Sequence, residues 1–199
     1  MRIIEALGPR WGRGKKMDKL IFPLNTGKIS WSMKTGQEWT VTSYVSASGA
    51  QKTLCQQELP KWSMEVKFPC LTKHEVDLIK SFYAKCKGSW KPFYYKDYEH
   101  FEVLGRELAM DADGKYQAVV PVADYEEPAE FIDNVVVFVD GKRTKDFTVD
   151  GGLINVNTSG NVVKFDYEYY YKVAFSGALS ISQTAENFYS LSLKMVVAR

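Results

Sequence analysis

A mainly β fold with one helix follows from three features of the sequence: apolar residues recurring at a spacing of two, a single well-capped helical stretch, and turn dipeptides at intervals through the second half. The alternation begins near Glu38 with Trp39 and Val41 and returns in Trp62, Met64, Val66 and Phe68. Successive side chains of a strand point to opposite faces, so this period buries one face and leaves the other wet. The helix signal is Thr72-Lys73-His74-Glu75, a capping box in which the Thr hydroxyl and the Glu carboxylate each satisfy a free backbone N–H. Helix is expected from there to about Lys87, with Val76, Ile79, Phe82, Tyr83 and Cys86 as its apolar face and Gly88 supplying a left-handed exit. One helix then packs on sheet.

After Gly88, Trp90 to Tyr98 leads into a long second β region. Asp113-Gly114, Asp140-Gly141, Asp150-Gly151 and Ser159-Gly160 each mark a reversal, because Gly suits the positive backbone angles of tight hairpins. Their flanks are apolar or β-branched, as in Val135 to Val139, Phe147 to Val149, Leu153 to Val156 and Val162 to Phe165, which predicts a meander of short hairpins. The alternating Leu191, Leu193 and Met195 are expected to form the last strand and close a sheet.

A chain of 199 residues can bury one sizeable core, or one and a small satellite, with no disulfide or metal to hold it. At 45% hydrophobic and 25% charged residues it has an ordinary globular composition, with no stretch long and apolar enough for a signal peptide or a membrane insertion. Aromatic residues reach 14%, and such rings serve both β cores and assembly interfaces. A formal net charge of only +2 argues against wrapping a polyanion. Cys55, Cys70 and Cys86 lie far apart with no ligand spacing and read as reduced thiols in a cytosolic protein.

Residues 1–19 form a distinct basic, Gly-rich arm, Gly8-Pro9-Arg10-Trp11-Gly12-Arg13-Gly14-Lys15-Lys16, which has no period and no core of its own. Met17 is an alternative start. If native, the arm is expected to dock, with Trp11, Ile3, Ile4 and Leu7 as apolar anchors in a groove of an adjacent subunit and Arg10, Arg13, Lys15 and Lys16 on its acidic rim. Asp124-Tyr125-Glu126-Glu127, the most acidic run, is one receiver for such a clasp.

No catalytic, cofactor-binding or metal site is expected. Asp97 and Glu99 are two apart and, on a strand, point the same way, so they do not face each other across a substrate. Neither of the two histidines sits beside a Ser or Cys nucleophile in a triad pattern. Asp111-Ala112-Asp113-Gly114 lacks the further ligands of a calcium loop and reads as a hairpin turn. Tyr167, Tyr169 and Tyr171 share one strand face and Tyr170 the other, which suits a core or subunit seam; the rival use of this Tyr run is stacking on sugars.

Four places, taken in order, resemble the distal tail or minor tail proteins of phages, related to the tail-tip ring of gene transfer agents. They are the strand ending Trp62-Ser63-Met64-Glu65-Val66, the capped helix finishing Phe82-Tyr83-Ala84-Lys85-Cys86-Lys87-Gly88, the segment Pro92-Phe93-Tyr94-Tyr95-Lys96-Asp97, and Val137-Phe138-Val139-Asp140-Gly141 followed by Phe147-Thr148-Val149-Asp150 and a Tyr-rich strand. The chain departs from the family pattern at Tyr171-Lys172-Val173-Ala174-Phe175 and Asn187-Phe188, where a Gly and an Arg or Trp are usual. The resemblance implies a β-sandwich, tail-tube-like ring domain with a helix, built from residues 20–103 and 166–199, and an inserted β-hairpin module at 104–165. It further implies a virion tail component at the tail tip, assembled in the host cytoplasm as a homo-hexamer between the tail tube protein and the tail-tip hub protein. DNA would pass its lumen without specific binding. The alternative from another class is a carbohydrate-binding module at the tail tip.

Overall fold

The computed structural model of the chain describes residues 19–24, 33–97, 99–157 and 163–199. The fold is mainly β, sandwich-like, with a single helix among the described residues. The first part runs β1 (Lys34–Glu38), β2 (Val41–Val45), β3 (Gln51–Cys55), β4 (Lys61–Thr72), α1 (Lys73–Cys86) and β5 (Phe93–Tyr95). Short strands follow: β6 (Glu102–Glu107), β7 (Tyr116–Gln117), β8 (Val119–Val122), β9 (Tyr125–Pro128), β10 (Phe131–Val139), β11 (Lys142–Thr144), β12 (Phe147–Asp150) and β13 (Leu153–Val156). The chain returns through β14 (Val163–Phe175), β15 (Ser180–Ala185) and β16 (Phe188–Val197).

The capping box forms as the sequence dictates: the Glu75 N–H donates to the Thr72 hydroxyl, and the Glu75 carboxylate accepts from the Thr72 N–H at 2.8 Å. The exit is left-handed one residue earlier than expected, because Lys87 (φ 54°) takes that conformation before Gly88 (φ 65°) does. Val76, Ile79, Phe82 and Cys86 are buried, and Tyr83 packs at the margin. Phe82 meets Phe93 edge-on at 5.1 Å and Phe22 at 5.9 Å, while Phe93 lies 4.5 Å from Phe175. Residues 19–24 are clipped to β5, the Phe22 N–H donating to the Tyr94 carbonyl and the Tyr94 N–H to the Leu20 carbonyl.

β4 and β16 form the longest ladder, and Met64, Val66 and Phe68 face Leu191, Leu193 and Met195 in one core. Between Leu71 and Phe68 β4 spends one residue more than β16, a bulge at Pro69 and Cys70. Pro69 has no N–H to lose there, and the bulge flips the parity so that Leu71 is buried together with Phe68. β16 was expected to close a sheet; instead it lies inside one, between β4 and the pair β14 and β15. Both of its flanks find partners, which its apolar alternation alone does not reveal.

A second core gathers Val103, Ala118, Val120, Ile132, Val137, Ile154, Phe165, Tyr167 and Tyr169. β14 serves both cores: its first half pairs with β6 and β10, its last residues with β5 and β16, and Tyr171 packs against both clusters. β10 carries its own bulge between Asp133 and Val136, with Asn134 at φ 51°, which moves burial from Ile132 to Val137 and Val139. The hairpin turns fall where the dipeptides put them: Asp140-Gly141 joins β10 to β11, both residues at positive φ, and Asp111 caps its own loop through the N–H groups of Asp113 and Lys115. At the β12–β13 turn Gly152 is obligatory, since a Cβ there would lie 1.7 Å from the Ala129 carbonyl oxygen. Ser159-Gly160 lies outside the described residues.

Candidate functional site

Three surfaces have features that the fold alone does not require. The first is the pair of sheet edges. β1, β4, β16 and β15 are neighbours in that order and all antiparallel, so the outer sides of β1 and β15 are opposite rims of one sheet. Neither rim is paired among the described residues. Both strands are short and largely exposed, Lys-Thr-Gly-Gln-Glu on one side and Ser-Ile-Ser-Gln-Thr-Ala on the other.

The second is the β2–β3 hairpin. It is held by five cross-strand pairs, from Val41 with Cys55 to Val45 with Gln51, and every one of its strand residues is exposed. Val45, Tyr44 and Leu54 are 62%, 68% and 64% exposed, values that leave these apolar side chains with almost no cover. The expectation that Trp39 and Val41 belong to a half-buried face fails here: the alternation is present, but no layer formed by the described residues lies against it.

The third is the seam between the two cores. Glu127 on β9 is buried, and its two oxygens take hydrogen bonds from the Trp62 indole N–H of β4, at 2.7 Å, and from Arg199 beyond β16. Lys172 bridges to Glu130 at 2.8 Å and Lys96 to Glu168 at 2.7 Å. A buried carboxylate is tolerated only when paired and hydrogen-bonded, so Glu127 fixes how β9 sits on β4.

Beside the seam is a cleft of about 250 Å³ lined by Trp62, Asp97, His100, Tyr169 and Tyr171. β5 ends at Tyr95, so Asp97 and Glu99 do not project from one strand as expected. Asp97 turns inward and accepts the Glu99 N–H at 3.2 Å, whereas the Glu99 side chain is exposed. His100 Nδ1 stands 3.8 Å from the Asp97 carboxylate. Burial pushes the Tyr169 phenol up to about 12, and raises Tyr171 and Tyr95 as well, with the Asp97 charge adding to it. These phenols hold their protons at neutral pH; Tyr169 and Tyr171 wall the cleft, whereas Tyr95 lies in the first core. The Tyr95 hydroxyl is buried with no hydrogen-bond partner among the described residues.

No family model matches the chain. No curated protein matches it either. The arm residues Trp11, Arg10, Arg13, Lys15 and Lys16 lie outside the described residues. Their suggested receiver does not fit the role: in Asp124-Tyr125-Glu126-Glu127, Glu126 pairs with Arg106 and Glu127 with Arg199, so both glutamates are already neutralised within the chain. Tyr167 and Tyr169 are interior, and the Tyr167 hydroxyl donates to the Val119 carbonyl at 2.7 Å and accepts its N–H, which ties β14 to β8 and removes both rings from any sugar-stacking platform. Among the described residues no group of three or more His, Cys, Asp or Glu is placed to hold a metal ion, and no helix is long and apolar enough to cross a membrane. Cys55 and Cys70 are exposed free thiols and Cys86 is a buried one.

Sequence reasoning missed the Glu127 seam and the bare hairpin. The charge of Glu127 next to Pro128 gave no sign of burial, since its partners are 65 and 72 residues away. For the hairpin, the high share of Ser, Thr and Gln between Thr40 and Gln57 was the available signal.

Proposed function

We propose that the chain is a structural, non-catalytic component of a phage tail tip that closes into a ring, a homo-hexamer, joining the tail tube protein to the tail-tip hub protein. The observation that carries the reading is the pair of strands, β1 and β15, whose outer edges are unpaired among the described residues and flank the β4–β16 ladder on its two sides. Free strand edges are templates for pairing with another chain, and soluble proteins that do not use them usually cover or charge them. β1 and β15 run antiparallel to each other, so joining β15 of one copy to β1 of the next continues the alternation without a break. Such a junction is heterologous, and a heterologous junction closes as a ring when its rotation permits. The lumen of that ring would admit DNA without specific binding. The sequence resemblance to distal tail proteins supplies the six-fold number and the place in the virion. The carbohydrate-binding alternative loses support, because its Tyr167 and Tyr169 are inside the protein.

A proline scan of the outer rim tests the reading. Proline removes a backbone donor, and along Ser180, Ile181, Ser182 and Gln183 alternate N–H groups face away from β16. At those outward positions proline should leave the fold intact by circular dichroism and abolish the ring in native mass spectrometry. A wild-type chain that stays monomeric at micromolar concentration, alone and mixed with tail tube protein, would overturn the ring.

A further inference from the structure

The end of α1 carries an exposed Trp set among lysines. Trp90 is 68% exposed, Lys87 Nζ lies 4.8 Å and Lys91 Nζ 5.7 Å from its ring centre, and exposed Lys85 stands on the last turn of the helix. None of the three lysines forms an ion pair with a described residue. Residues 85–91 contain no acidic side chain at all. Both ammonium groups are within cation–π reach of the ring, and an exposed Trp is among the residue types most enriched at the energetic centres of interfaces.

The complement lies on the same chain. Residues 99–113 hold Glu99, Glu102, Glu107, Asp111 and Asp113 against a single Arg, Arg106, which is engaged with Glu126; of these acids Glu107 is already met by Lys164 of β14 at 3.6 Å, and Glu99, Glu102 and Asp113 form no ion pair with a described residue. Among these acids stand two exposed apolar side chains, Leu104 at 67% and Met110 at 62%. The strip follows β6, which among the described residues pairs with β14 alone and so has an open outer side. The charge division runs through the whole sequence: residues 104–165 carry six Lys and Arg against eleven Asp and Glu, although the chain is net positive.

Within one chain the two surfaces cannot meet. Phe93, just after the Trp90 patch, pairs with Val173, and Glu107 pairs with Lys164, nine residues away on β14. At ~3.3 Å per strand residue that places Phe93 about 30 Å from Glu107 and about 17 Å from Glu102, which sits opposite Glu168. We propose that the Trp90 patch of one copy docks on the β6 strip of a second copy, with Trp90 against Leu104 and Met110 and the lysines against Glu99, Glu102, Glu107 and Asp113. The occupant is a second copy because acid, base and exposed apolar residues match between the two surfaces. The contact rests on the reading that the chain self-assembles, and it is separate from the β1 and β15 rims.

Sedimentation velocity in low and high salt on two charge-reversed full-length chains tests it. One carries Lys87→Glu with Lys91→Glu, the other Glu102→Lys with Glu107→Lys, all at exposed positions. Each alone should associate at least about tenfold more weakly than wild type in low salt, and Trp90→Ala should weaken association about tenfold in both salts. An equimolar mixture of the two reversed chains should regain association, because each then meets its complement. If the reversed chains assemble like wild type while the β15 prolines abolish assembly, this contact is wrong and the ring reading stands. If the reversals weaken association and the β15 prolines do not, the contact stands and the rim junction falls. A mixture that fails to recover overturns the contact, as does a Lys87/Lys91 variant that loses binding to a short DNA duplex with no change in self-association.

Discussion

β4 and the β2–β3 hairpin are built from the same kinds of residue, yet one is the floor of a core and the other is exposed along both of its strands. β4 alternates Met64, Val66 and Phe68 into a cluster with α1 and β16, while Val41, Tyr44, Val45 and Leu54 of the hairpin face solvent. β-propensity therefore made strands in both places, but only the long-range ladder with β16 turned propensity into burial. A two-stranded hairpin is marginal by itself in water. Exposed apolar side chains gathered on one hairpin are a candidate contact surface for the assembly proposed above.

The comparison is sharpest in mutational stability. Phe68→Ala removes a side chain with no exposure, stacked on Phe22 at 6.2 Å, and should cost about 3–5 kcal/mol in denaturant unfolding. At the seam, Arg199→Ala leaves Glu127 buried with Trp62 as its remaining donor, and a loss of about 1.5–3 kcal/mol is expected in the same assay. A full-strength response at Phe68 with none at Arg199 would mean that the seam does not couple the two cores.

Alkaline pH probes the same interior. The raised phenols of Tyr95, Tyr169 and Tyr171 favour the neutral form in the folded chain. An acid whose folded value lies above its unfolded one contributes stability that is complete below the ordinary Tyr value of 10 and is lost as pH rises from there through about 12. Unfolding midpoints measured across that window should fall. Tyr95→Phe should blunt the fall and leave stability at neutral pH unchanged or slightly raised, since it deletes a buried hydroxyl with no hydrogen-bond partner among the described residues.

The smallest effect belongs to the hairpin. Val45→Ser and Leu54→Ser should each change monomer stability by less than about 0.5 kcal/mol, because neither side chain leaves a core. If either unfolded the chain, the hairpin would have to be packed in solution, and the contrast with β4 would disappear.

What the sequence made legible was local. Thr72 and Glu75 located the helix start, Asp140-Gly141 located a hairpin, and the period of two located the buried faces of β4 and β16. What it hid was pairing at a distance. Nothing near Tyr167 announces that β14 runs through two cores, and nothing near Glu127 names Trp62 and Arg199 as its partners. The bulges at Pro69 and Asn134 change which parity is buried, so a pattern read straight through them assigns the wrong face beyond the bulge. Exposure of the hairpin was equally hidden, because a period of two records what a strand can bury and not whether a partner layer exists. The basic arm, where the sequence placed its strongest candidate interface, falls outside the described residues.

Assembly is the claim on which the account turns, and negative-stain electron microscopy of the purified full-length chain, with and without tail tube protein, measures it directly. The account predicts closed six-fold rings that the Ser180–Gln183 prolines disperse into folded monomers. Uniform single particles of one-chain mass under both conditions would contradict it.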